Sequence, residues 1–117
     1  MDMNLTVLAG KLAAPPEMRQ FESGSCLVRS LVTVRSSSPR RRVDVIPVTL
    51  WDPPSDHEIL KAAAGRPVWV VGTVQRRFWS AGEARQSRLE VVAHHVELVN
   101  ASASAATTDH ATAGGGS

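Results

Sequence analysis

The chain has 117 residues, 43% of them hydrophobic and 21% charged, with a formal net charge of +2. That leaves room for one domain with a modest core, and no apolar run approaches the ~20 residues a membrane-spanning helix requires. A single cysteine, Cys26, excludes an internal disulfide, and its apolar surroundings predict a buried structural thiol.

The elements follow in order as strands with one helix. Leu5 to Lys11-Leu12 is β-leaning, with Gly10 marking a bulge or a close backbone approach. Ala13-Ala14-Pro15-Pro16 ends it. A short strand covers Met18 to Phe21 and turns near Ser23-Gly24. A longer strand covers Cys26 to Arg35, with Leu27, Arg29, Leu31, Thr33 and Arg35 on its more polar, half-exposed face. Ser36 to Arg42 holds no hydrophobic residue and reads as a loop.

Val43 to Trp51 is the next strand, and Pro47 within it predicts an edge or a bulge. Asp52-Pro53-Pro54 stops it. Ser55 or Asp56 then caps a short helix over Asp56 to Ala64, which buries Ile59 and Leu60 and ends at Gly65. Strands over Pro67 to Trp79 and Arg88 to Val99 complete the domain, 1–99. The Ala/Ser/Thr/Gly segment 100–117 is expected to be a flexible tail. This order predicts an all-β OB-fold, a five-stranded Greek-key barrel with one short helix between strands 3 and 4.

The informative stretch is Arg76-Arg77-Phe78-Trp79. The chain has only three Trp, two Phe and no Tyr, yet places a Trp beside two arginines at a hairpin. Guanidinium groups pair with phosphate, and an indole offers a face on which a base can stack. Strand parity puts Arg77 and Trp79 on one face and Arg76 and Phe78 on the other, with Phe78 expected to close the barrel end.

A Trp covering the barrel or a subunit contact is the plainer reading of Trp79. Stacking and subunit packing are both open for Trp51, and for Trp69, deep in an apolar run, packing is the simpler reading. Arg40, Arg41 and Arg42 form either a solvated loop or a phosphate clamp. Arg29 and Arg35 share a face that could line the same groove, and Lys11 is a further candidate.

His57, His94, His95 and His110 lack ligand spacing, so no metal is expected. No nucleophile arrangement or phosphate-cradling glycine loop is present, so neither catalysis nor a cofactor is expected. Met1 to Asn4 lacks the basic, apolar start of a secretory signal, which predicts a cytoplasmic protein.

Taken together, the pieces resemble bacterial single-stranded DNA-binding proteins. The resemblance is carried by Asn4 to Leu12, Pro16-Glu17-Met18-Arg19, Ser23-Gly24, Ile46 to Trp51, Ile59-Leu60-Lys61 with Gly65, Val68 to Gln75 and Glu90 to Ala93. It spans about residues 3 to 99.

It implies sequence-independent binding of single-stranded DNA in replication, recombination or repair, a homotetramer built of two dimers, and a nucleoid-associated location. Trp51 and Trp79 match two of the family's four stacking positions, while the other two are Ser36 and Val45. The family's acidic tip has no counterpart in these residues, which end Ala113-Gly114-Gly115-Gly116-Ser117. That counts against tail-mediated recruitment of repair proteins. The alternative is a primosomal-type OB-fold protein-interaction module with weak DNA binding.

Overall fold

The computed structural model describes residues 1–100. The tail expected from residue 100 onward therefore lies, apart from Asn100, outside the described residues.

Six strands form one closed sheet: β1 (Thr6–Leu12), β2 (Glu17–Gln20), β3 (Cys26–Ser36), β4 (Arg42–Trp51), β5 (Pro67–Ala81) and β6 (Ala84–Leu98). Their order is β1-β5-β6-β4-β3-β2, and a β1–β3 pairing at Lys11↔Thr33 and Leu12↔Val32 closes the barrel. All pairings are antiparallel except β4–β6, which is parallel at Val48↔Val91 and Thr49↔Val92. This is the all-β, OB-type barrel expected, with β2 as a short flap on the edge of β3.

Strand alternation makes the core. Val28 and Val32 of β3, Val48 of β4, Val68 and Val70 of β5, and Val91, Val96 and Leu98 of β6 all point inward and are buried. Each such side chain contributes roughly 1.5–3 kcal/mol through burial. Leu12 of β1 joins them. Cys26 is only half-buried, at the start of β3, rather than sealed inside.

Two glycines mark seams where backbones touch. A Cβ on Gly10 would collide with the Thr33 carbonyl, so the residue permits the close approach of β1 to β3. Gly72 lies at the register shift between β5 and β6, where a Cβ would meet the Val92 carbonyl. There Val71 pairs with His95 and Gly72 with Ala93, so β6 bulges at His94.

The helix differs from expectation. It is a single 3-10 turn, Glu58–Lys61, capped by His57 rather than Ser55 or Asp56. His57 Nδ1 accepts from the Ile59 amide at 3.0 Å and Nε2 donates to the Val96 carbonyl at 3.2 Å. That ring both caps the turn and ties it to β6, so Ile59, 1% exposed, plugs the barrel. Docking a plug needs only one turn, and Ala62 has already left helical geometry, with ψ near 146°.

Pro47 sits just before the short β4–β6 pairing, on a stretch of β4 open on that side, where a missing donor is tolerated. No helix among the described residues is long and apolar enough to cross a membrane.

Candidate nucleic-acid interface

The outward faces of β2, β3 and β4 form cross-strand rows. Arg19, Leu27 and Trp51 make one row, and Glu17, Arg29 and Thr49 the next. Leu31 stands opposite Pro47, Thr33 opposite Val45, and Arg35 opposite Val43. The polar parity of β3 is therefore the outer wall, as its alternation predicts. Leu27 departs from that reading, since it is buried on this wall, between Arg19 and Trp51 in the registers.

Beyond Gly72 on β5 and Val91 on β6 the two strands pair only with each other and project as an arm. Gly82, at positive φ, opens the two-residue turn between Ala81 and Ala84. Asn4 seats the base of the arm. Its side chain donates to the Val74 carbonyl at 2.7 Å and accepts from the Val74 amide at 2.9 Å, taking the place of a strand neighbour.

The register Gln75↔Glu90, Arg77↔Arg88 and Trp79↔Gln86 sets these six on one face of the arm. Arg29 from β3 meets that face, so Arg29, Arg77, Arg88 and Trp79 line one notch. Glu90, 8% exposed, lies beneath. Its Oε1 accepts from Thr49 Oγ1 at 3.2 Å and stands 3.9 Å from Arg77 Nη1. A carboxylate this buried needs such partners. Arg29 Nε is buried with no hydrogen-bond partner among the described residues. Three guanidinium groups around one carboxylate leave the notch with net positive charge, which suits an anion such as phosphate.

The other arm face carries Arg76 and Phe78. Arg76 Nη1 donates to Ser87 Oγ at 3.1 Å, and Arg85 Cζ lies 4.5 Å from the Phe78 ring centroid. The separation of Arg76 from Arg77 is as parity predicts. Phe78 does not close the barrel end. It is half-exposed, because the strands run past the barrel before reaching it.

Trp51 ends β4, 47% exposed, and stacks on Phe21, with ring centroids 5.8 Å apart at 27°. Arg19 Cζ lies 5.2 Å from the other ring's centroid, making a column of guanidinium, phenyl and indole. Asp52, at φ 49°, anchors the column's end, its Oδ1 accepting from the Cys26 amide at 2.8 Å.

The basic loop sits at the opposite end of the β3–β4 ladder, about 30 Å from Trp51 at ~3.3 Å per residue. Arg35, Arg41 and Arg42 line one hollow there, and Arg40, Arg41 and Arg42 the next. Arg42 Nε is shared by both Asp44 oxygens at 3.0 Å, so part of its charge is answered locally. Lys11 stands beside Thr33 at the barrel seam, bordering the same wall.

Trp69 stands apart. It is 57% exposed on the outer wall of β1 and β5, opposite Ala9 and Glu97. Ten residues of β5 separate it from Trp79, about 33 Å of strand. Parity along a strand says nothing of that distance.

Arg88, Glu90, Thr49, Phe21 and Arg19 escaped the sequence reading. Placing a two-residue turn at Gly82-Glu83 would have paired Arg88 with Arg77. No local signal joins Thr49 to Glu90 or Phe21 to Trp51.

A family model described as the single-strand binding protein family matches residues 3–99. "Single-stranded DNA-binding protein 1" of Nostoc sp. and "Single-stranded DNA-binding protein" of Anabaena variabilis are each 28% identical over 80 residues. Each alignment covers 68% of this chain and 67% of the relative. A solved structure described as "Plasmodium falciparum SSB complex with ssDNA" superposes with a TM-score of 0.74 at 15% identity. It covers 86% of this chain and 97% of that one.

Proposed function

The chain belongs to the single-strand binding protein family, and from that membership we propose that it binds single-stranded DNA along its length without regard to sequence. The observation that carries this reading is the notch of Arg29, Arg77 and Arg88 beside Trp79. Arginines there track phosphates, while half-exposed Trp79 and Trp51 each offer a face to a base. Base–aromatic stacking contributes roughly 1–3 kcal/mol per base and tolerates any sequence. Arg35, Arg40 and Arg41 extend the basic track to the far end of β3, with Lys11 at its border and Arg42 partly spent on Asp44.

The wall carrying Leu5, Val7 and Trp69 supports a different role. These exposed apolar residues suit a contact between copies, in line with a homotetramer. The edge of β1 before Lys11 is open on the β3 side and adds a second pairing surface. On this reading Trp69 packs between subunits rather than against DNA. Protection of single strands in replication, recombination or repair, in the cytoplasm, follows as the cellular role.

Titration with oligo-dT at two salt concentrations tests the binding. Tryptophan emission should be quenched, with affinity falling as salt rises, because phosphate neutralisation releases counterions. Unchanged emission at saturating oligonucleotide, with no retarded species on a gel, sinks the proposal.

A further inference from the structure

Glu90 lies at the root of the arm, next to Val91 where β6 meets β4, and it is buried beneath a notch suited to anions. A negative charge there opposes phosphate, and burying it is costly. Resting on the DNA-binding reading, we propose that Glu90 is a positioning residue for single-strand binding. Its carboxylate, oriented by Thr49, holds the Arg77 guanidinium where it meets a phosphate of the strand.

The register of the arm sets two like charges side by side. Arg77 stands directly opposite Arg88, a pairing that drives the two side chains apart. Glu90 is diagonal to Arg77 on the same face, two residues along from Arg88. Its Oε1 stands 3.9 Å from Arg77 Nη1 and draws that guanidinium back toward the barrel. Because the group so held serves a phosphate, the contact is indifferent to base sequence.

Thr49 fixes the carboxylate in turn. It is buried on β4, opposite Arg29 of β3, and its Oγ1 donates to the same Glu90 oxygen at 3.2 Å. Arg29 belongs to the barrel and Arg77 to the arm, whose strands pair only with each other there. The hydrogen bond from Thr49 and the ion pair to Arg77 therefore tie the two halves of the notch together. At 3.9 Å, with Arg77 only half-buried, the ion pair adds little to stability. Its consequence is order: a guanidinium already in place does not have to be immobilised when the strand binds.

The test is a double-mutant cycle on oligo-dT binding, read by tryptophan quenching. Glu90→Gln keeps the shape of the side chain and removes its charge. Through charge alone it would tighten binding, because the notch gains net positive charge. Through lost positioning it should instead weaken binding about threefold to tenfold, within the range of coupling between residues in contact. Thr49→Val leaves the net charge unchanged and should weaken binding about threefold, the scale of one hydrogen bond. In the Arg77→Ala background neither change should weaken binding further. Binding by Glu90→Gln as tight as that of the unaltered protein, or tighter, overturns the proposal. A loss of equal size with and without Arg77 also overturns it, since Glu90 then supports the fold and not Arg77. Where Glu90→Gln does not fold, the Thr49→Val cycle decides: a loss confined to the protein that keeps Arg77 upholds the role, and any other result overturns it. If the unaltered protein does not bind oligo-dT, the DNA-binding reading falls and the positioning role with it.

Discussion

Phe21 stacks on Trp51, with centroids 5.8 Å apart, although the two residues lie on separate elements and Phe21 follows the short strand β2. The contact covers one side of the indole and fixes its tilt. Phe21→Ala should cost about 1 kcal/mol of stability, the order of an aromatic pair beyond its area. It should also weaken oligo-dT binding severalfold, because Trp51 then has to be ordered on binding. Urea unfolding and titration of the same variant check both.

The two arm faces predict an asymmetry between neighbouring arginines. Arg77→Ala and Arg88→Ala remove notch contacts and should each weaken binding to all sequences alike. Each should also lower the salt slope by about 0.7, the value for one phosphate on a single strand. Arg76→Ala, whose side chain is turned toward Ser87, should change either quantity much less. Affinities measured over a salt series distinguish the three.

Gly72 permits the bulge that keeps both halves of β6 in register with β5. Gly72→Ala drives a methyl group into the Val92 carbonyl. A destabilisation on the order of 3 kcal/mol is expected, at the upper end for overpacking. Thermal or urea unfolding reads it directly. The same change at Gly82, where no atom lies within 4 Å of the added carbon, should strain only the local turn.

Ile59 is the plug of the barrel, delivered by one helical turn. Ile59→Ala should cost about 2–5 kcal/mol, as for other buried large-to-small changes. A cost near zero in urea unfolding would show that the turn does not close the core.

Trp69→Glu places a charge on the apolar wall of β1 and β5. Light scattering should report a smaller assembly than for the unaltered protein. Because Trp69 is far from the notch along β5, quenching of Trp51 and Trp79 by oligo-dT should persist.

Local pattern alone determined a good deal here. Alternation sorted the two faces of β3 and separated Arg77 and Trp79 from Arg76 and Phe78, because side chains reverse at every residue of a pleated strand. Gly10 could be read as a close approach, since it has no side chain to stand between strands, and Gly24 as a turn, since few other residues take positive φ at no cost. What needed the tertiary structure was which distant segments meet. Glu90 reaches Thr49, 41 residues earlier, only because β6 lies parallel to β4 when the barrel closes. Arg29 joins Arg77 and Arg88 for the same reason, and Trp69 is carried to another wall than Trp79 by the length of one strand. The helix shrank to a turn because the barrel needed a plug and not a packed face. Periodicity is a property of each strand by itself, whereas these meetings follow from closing one core around Val28, Val32, Val48, Val70 and Val91, and no single segment encodes that.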